Sequence, residues 1–259
     1  DVATAARGAS LIVHAVNPPG YRNWATLVLP MLDNTIAAAR ANGARIILPG
    51  TVYNYGPDAL PNLSEDAPQT PRTRKGKIRV EMERRLAAAA ATGEAKVLIV
   101  RAGDFFGPTA GNNWLSQGIV TPGKRPTALT YPGKRGVGHQ WAYVPDVAET
   151  MVRLIEGGDL EDFATFHMDG HWDPDGTRMI AAIQRALGGK PVPVKAMPWL
   201  VVKLLSPFAP LMAEMTEMEY LWHVPVRLEN DRLIAKLGKE PRTPLDEAMR
   251  TTLAGVGCL

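Results

Sequence analysis

The chain has 259 residues, 46% hydrophobic and 21% charged, a mix that excludes a disordered tail, a collagen-like fibre and a disulfide scaffold. Lys and Arg number 29 against 26 Asp and Glu, and a net charge of +3 gives no support for a nucleic-acid partner. The lone cysteine, Cys258, fits a reducing, cytoplasmic setting.

Strands and helices alternate in the first half. The apolar run at residues 11–16 reads as a strand buried on both faces and stops at Asn17-Pro18-Pro19-Gly20. A helix is expected over residues 24–41, ending at Asn42-Gly43, and a second strand over 44–48, closing on Pro49-Gly50-Thr51. A polar, proline-rich loop spans residues 55–71. A strong helix follows over 72–91, then a third strand over 97–100 running into Arg101-Ala102-Gly103-Asp104. This order predicts a parallel α/β sheet whose ligand sites lie at the carboxyl ends of the strands, where Asn17, Thr51 and Asp104 fall.

From residue 107 to 138 the texture is Gly, Pro, Asn and Trp without periodicity. A helix is expected over 145–156 and a strand over 164–168. Asp173-Pro174 has the form of an N-cap followed by proline, opening a helix to residue 187. The last third is helical and punctuated by proline. Its most apolar stretch, residues 197–212, holds Lys203 and is cut by Pro198, Pro207 and Pro210. It therefore reads as a broken amphipathic helix over a pocket or subunit contact, and no membrane partner is expected.

Several chemistries are excluded or disfavoured. None of Ser10, Ser64, Ser116 and Ser206 sits in a G-x-S-x-G elbow, and no Walker A loop is present. The segment from His167 to Asp175 is dense in metal-ligating types, but Ile180 replaces the final glutamate of a calcium loop. A strand running into a capped helix explains it, and no metal is expected. The basic run Arg72-Thr73-Arg74-Lys75-Gly76-Lys77-Ile78-Arg79 lacks interleaved aromatics and reads as a solvated helix start.

Gly50-Thr51-Val52-Tyr53-Asn54-Tyr55-Gly56, directly after a buried strand, resembles the segment that carries the active-site Ser or Thr in extended short-chain dehydrogenases/reductases, and most of all in the NAD-dependent epimerase/dehydratase group. Residues 8–15 look like that family's fourth strand. Gly76-Lys77 with Glu81 reproduces the tail of its Y-x-x-S-K-x-x-x-E helix. Residues 101–108 are similar to the strand and loop over the nicotinamide, and Trp141-Ala142-Tyr143-Val144-Pro145-Asp146-Val147-Ala148 to its F-I-H-V-x-D-V-A segment. Leu237-Gly238, Pro241 and Thr243 to Leu245 match its C-terminal ending.

The resemblance implies an α/β, Rossmann-like doubly wound parallel sheet with a smaller, mostly helical C-terminal substrate domain. Residues 1–107 would form the remaining part of the cofactor domain and 108–259 mainly the substrate region, with 141–170 returning to the former. NAD or NADP would lie against His14, Ala15, Val16, Asn17, Thr51, Lys77, Asp104 and Phe105. Thr51 would polarise the substrate oxygen and Lys77 hold the cofactor ribose. Asn112, Asn113, Trp114, His139 and Trp141 would line the side facing a small carbonyl, hydroxyl or sugar-nucleotide substrate. A homodimer through the helices at 24–41 and 72–91 is expected.

Two departures matter. Thr73 stands where the pattern has its catalytic tyrosine, and a threonine hydroxyl is far too weak an acid to replace a phenol of pKa about 10. Tyr53, two residues past Thr51, is the leading replacement, with Tyr55, Tyr21 and His139 as alternatives. The family's G-x-x-G-x-x-G is also missing, so on the order of 70 further residues (two or three βα units) are expected ahead of the sequence given. A non-catalytic NAD(P)-binding sensor or scaffold of the same fold is the alternative function.

Overall fold

Apolar runs bounded by turn formers give the strands, and stripes of buried side chains at helical spacing give the helices between them. The computed structural model describes residues 2–18, 23–59, 61–111 and 113–259. In chain order, α1 (Val2–Ala5) leads into β1 (Leu11–Val13) and α2 (Trp24–Asn42) into β2 (Arg45–Thr51). Past the short β3 (Asn62–Leu63), α3 (Arg74–Ala91) leads into β4 (Lys96–Ala102). Next come β5 (Asp104–Phe106), β6 (Leu129–Tyr131), β7 (His139–Tyr143), α4 (Val144–Glu156), β8 (Phe163–His167), β9 (His171–Asp173) and α5 (Arg178–Ala186). The chain closes with β10 (Val194–Ala196), α6 (Trp199–Leu205), α7 (Pro210–Glu217), β11 (Arg227–Leu228), α8 (Asp231–Leu237) and α9 (Leu245–Gly255).

The main sheet has the order β1-β2-β4-β8 and every pairing in it is parallel. The period of two along each strand sorts its side chains between two cores. Ile46, Leu48, Val97 and Ile99 pack with Leu32 of α2 and Met82 and Leu86 of α3. Ile47, Leu98 and Val100 pack with Val147, Met151 and Leu154 of α4. Helices on both faces make the layers doubly wound. Among the described residues no strand lies beyond β1, where Leu11 and Val13 are 41% and 56% exposed.

β5, β7 and β9 form a second sheet, and β6 with β10 and β3 with β11 form small parallel pairs. The C-terminal region is mostly helical, and α5 and α9 bury Ile183, Met249 and Leu253 in one cluster with Trp141 and Trp222. The stretch at 197–212 breaks between α6 and α7, leaving Leu200, Leu204 and Phe208 exposed. Among the described residues no helix is long and apolar enough to cross a membrane.

Three expected boundaries shift. β1 stops at Val13, and the chain is already irregular at His14. α5 starts at Arg178 rather than after Asp173, because the Asp173 carboxylate accepts from the backbone N–H groups of Gly176, Thr177 and Met179 and organises the turn before the helix. α3 starts at Arg74 because the Thr73 hydroxyl accepts from the Gly76 N–H at 3.0 Å, satisfying one of the donors that a helix start leaves open. Thr73→Ala is therefore expected to cost about 1 kcal/mol of stability. A lower urea midpoint with unchanged slope is the check, and an unshifted midpoint would deny the cap.

Candidate active site

A buried ion pair fixes how α3 lies on the sheet. Arg101, near the end of β4, donates from Nε to Glu83 Oε1 at 3.0 Å and from Nη2 to Oε2 at 2.6 Å, and both side chains are almost fully buried. The stem of Arg101 crosses β2 at Gly50, where a Cβ would come within 2.6 Å of it. Arg101 Nη1 also donates to Tyr55 Oη at 2.9 Å and to His167 Nε2 at 3.0 Å. His167 donates from Nδ1 to the Leu63 carbonyl at 3.1 Å, so its ring is neutral with Nε2 as acceptor, and Tyr55 Oη donates to that same nitrogen. Burial, aided by Arg101, lowers the His167 pKa to about 3.

With Glu83 inward, the residues one and two turns earlier on the same stripe, Arg79 and Lys75, reach the carboxyl ends of the strands. Each lines a separate hollow. The first is a cavity of about 340 Å³ whose walls include Val13, His14, Ala15, Val16, Asn17, Pro49, Arg79 and Phe105, with Val144, Val147 and Met151 as its apolar side. His14 Nδ1 donates to Thr35 Oγ1 at 2.8 Å, since the Thr35 proton goes to the Met31 carbonyl. Burial, followed by the nearby Arg79 charge, lowers the His14 pKa to about 4, which keeps the ring neutral and leaves Nε2 without a proton. Trp24 braces the rim: its Nε1 donates to Asn17 Oδ1 at 3.2 Å, and the Arg79 guanidinium lies 5.5 Å over its ring.

The second hollow is a small pocket bounded by Tyr53, Lys75, Asn113, Trp114 and Gln117, and roofed by Leu211, Glu214, Met215 and Met218. Lys75 is 3% exposed. Its Nζ donates to the Glu214 carbonyl at 3.1 Å and pairs with Glu214 Oε2 at 2.8 Å. Arg74 holds the same carboxylate at 2.6 Å, and Glu217 accepts from the Lys75 backbone N–H. Desolvation lowers the Lys75 pKa, against the opposing pull of Glu214. At Gly76 a Cβ would come within 2.4 Å of the Tyr53 carbonyl, so the missing side chain lets the first turn of α3 close onto the Tyr53 backbone.

The structure thus gathers His14, Ala15, Val16, Asn17 and Phe105 around one hollow and Tyr53, Asn113 and Trp114 around the other. Thr51 lies between Pro49 and Tyr53 along β2 and its turn, half-buried, with its hydroxyl accepting from the Tyr53 N–H at 3.3 Å. Asn113 spends its side chain locally, accepting from Ser116 N–H and donating to the Ala110 carbonyl.

Other expected site residues lie elsewhere. Lys77 is exposed and borders neither hollow, and Glu81 pairs at the surface with Arg84 and Arg85, whose hydrogen bonds lower its pKa to about 2. Asp104 is buried and accepts from His139 Nε2 at 2.7 Å, while His139 stacks on Trp222 at 3.8 Å. Trp141 is fully buried in the C-terminal core. Packing thus turns Asp104, His139 and Trp141 inward, away from both hollows. Tyr55 belongs to the Arg101 network. Asn112 and Tyr21 lie outside the described residues.

The sequence assigns Lys75 and Arg79 only to a solvated helix start, which the burial of Lys75 corrects, and it does not point to Glu214. The stripe Leu86, Met82, Arg79, Lys75, followed backwards at helical spacing, carries the signal for the first two; Glu214 comes from far along the chain and has none.

A model of the NAD dependent epimerase/dehydratase family matches residues 9–164. Among solved structures, UDP-glucuronic acid 4-epimerase from Bacillus cereus in complex with NAD is similar at a TM-score of 0.74 and 12% identity, over 99% of this chain and 77% of that one. UDP-glucose 4-epimerase from Bifidobacterium longum in complex with NAD+ and UDP is similar at 0.69 and 15%, over 98% and 79%. RMD from Pseudomonas aeruginosa complexed with NADPH is similar at 0.68 and 16%, over 96% and 82%. These likenesses concern the fold. A search of curated proteins gives no match.

The buried neutral rings of His14 and His167 make stability depend on pH in a definite direction. In the unfolded chain both take up protons below about 6.5, whereas in the folded chain they resist until about 4 and about 3. Stability is then expected to fall as pH drops from about 6.5 towards 4, by up to about 1.4 kcal/mol per pH unit for each ring, and to be indifferent to these groups above 7. Urea unfolding between pH 4 and 8 measures it; a flat profile across 4–6.5 would contradict the neutral assignments.

Proposed function

Because the chain belongs to the NAD dependent epimerase/dehydratase family, we propose that it binds the nicotinamide end of NAD or NADP in the 340 Å³ cavity and acts on a small carbonyl or hydroxyl substrate at the second, smaller pocket. A sugar nucleotide is the leading substrate class. Family membership favours an enzyme over a non-catalytic sensor.

The observation that carries this reading is the inward face of α3, which sends Arg79 to one hollow and Lys75, one turn earlier, to the other. The cavity suits a nicotinamide riboside: it offers an apolar side, a neutral His14 with an acceptor nitrogen, an oriented Asn17 and a guanidinium at the rim. Its volume falls within the range of small-molecule sites. When bound, the nicotinamide supplies the acceptance and return of a hydride at one carbon. Arg79 would hold the ribose and phosphate oxygens in place of the lysine of the family pattern, with a fork of donors that stays charged at every working pH. Thr51 would hydrogen-bond the substrate oxygen, and Tyr53, Trp114 and Gln117 would contact the rest of the substrate. The NAD- and UDP-bearing structures named above support both the cofactor and the substrate class.

Titration of NADH and NADPH by fluorescence tests the cofactor half. Arg79→Gln is expected to weaken binding at least about tenfold, roughly 1.4 kcal/mol, and Lys77→Gln to leave it within about twofold. The opposite order would return the ribose role to Lys77. A homodimer through α2 and α3, whose outer faces carry the Arg85–Asp33 pair at 2.6 Å, belongs to the same proposal. Light scattering is expected to give twice the chain mass, and a monomer would reject it.

A further inference from the structure

We propose that the amine of Lys75 is the proton donor and acceptor of this site, standing where the Y-x-x-S-K-x-x-x-E pattern has its tyrosine. This rests on the cofactor and substrate reading above. The register comes from the glutamate of the pattern. Two glutamates compete for that place, and only Glu83 is buried, locked to Arg101 by two hydrogen bonds; Glu81 is spent on surface arginines. Counting the pattern back from Glu83 puts Arg79 at the lysine and Lys75 at the tyrosine, the two cations that border the two hollows.

Of the hydroxyls considered for the role, Tyr53 borders the same pocket as Lys75, and two others are committed elsewhere. Thr73 caps α3, and Tyr55 is fully buried in the Arg101–His167 network. An ammonium of pKa about 10.4 matches a phenol of about 10 in unperturbed acidity, so the exchange of tyrosine for lysine keeps a group of the right strength. The pocket then adjusts it. Burial pushes the Lys75 amine down, and Arg74 does so weakly, while Glu214 and Glu217 on α7 oppose them; Tyr53 is the titratable neighbour from the turn after β2.

In the oxidation direction the substrate O–H bond breaks and its proton joins the lone pair of the neutral amine. The electron pair left on oxygen forms the C=O bond as the carbinol C–H pair departs as the hydride that NAD(P)+ accepts. Reduction returns the same proton from the ammonium to the carbonyl oxygen.

The test has two readouts. The first is competitive acetylation by acetic anhydride against pH, read by mass spectrometry, with exposed Lys77 as the internal reference. Lys75 is expected to react with a midpoint below that of this reference. An equal midpoint, or an amine that never reacts in the folded chain, overturns the proposal, whichever substrate is found. The second uses UDP-glucuronic acid and NAD+ as probes. Lys75→Met is expected to lose at least about 100-fold in kcat with KM and NADH affinity within about threefold, Lys75→Arg to fare no better, and methylamine to restore part of the rate of Lys75→Ala. An arginine keeps the charge and the pairing with Glu214 but releases no proton, so wild-type turnover in Lys75→Arg would reduce Lys75 to a structural anchor. Failure of the wild-type chain to bind NADH or NADPH would instead remove the cofactor reading, and the acetylation midpoint would still judge the amine.

Discussion

The buried pair between Arg101 and Glu83 is the constraint on which the site depends. Taking two charges out of water is costly, and the cost is offset only where geometry is good and the remaining donors are satisfied. Both conditions hold: the pairing is two-pronged, and the third guanidinium nitrogen is taken up by Tyr55 and His167. Sliding or rotating α3 by a residue would strand an arginine in the interior of the sheet. The pair thus acts less as a source of stability than as a register pin between a helix and the next strand, through two residues 18 apart in sequence.

From that pin the rest follows by helical geometry. Side chains four residues apart share a face, so fixing Glu83 inward fixes Arg79 and then Lys75 inward, and turns Lys77 and Glu81 out. The strands bring Pro49 and Thr51 from β2 and Phe105 from β5 to the same end of the sheet, and the small residues Gly50 and Gly76 let the pin and the helix start approach closely. The site is then a strip of inward-facing residues on one helix, laid across the strand ends, rather than the product of any one loop.

The parallel sheet and its crossover helices were legible from apolar runs and turn formers alone, because buried strands and amphipathic helices leave a local periodic trace. The site was legible only in part. The rule that ligands sit at strand ends picks out Asn17, Thr51 and Asp104; Asn17 borders a hollow, whereas Asp104 turns to His139. The helix register was not legible, since Lys75, Lys77 and Arg79 recur every second residue, and Glu81 and Glu83 both offer the glutamate of the family pattern. Choosing between them needs the partner of the glutamate, and Arg101 lies on another element. His139 and Trp141 show the opposite failure: their segment was located, but whether a side chain faces the cleft or the core is decided by Trp222, which arrives from more than eighty residues away.

The pairing of Lys75 with Arg79 also explains why the α6–α7 hairpin must reach back over the sheet. A tyrosine and a lysine one turn apart carry a single positive charge when the phenol is protonated; a lysine and an arginine carry two. The charge of Arg74 also bears on Lys75, and a carboxylate beside those two offsets it. Glu214 supplies it, 11% exposed and held by both Lys75 and Arg74, with Glu217 a turn further along. Because α7 and its C-cap carry both the counter-charge and the apolar roof of Leu211, Met215 and Met218, one element both covers the pocket and balances its charge. The C-terminal hairpin is therefore part of the proposed chemistry: the helix that covers the pocket carries the carboxylates that oppose the effect of burial on the Lys75 amine.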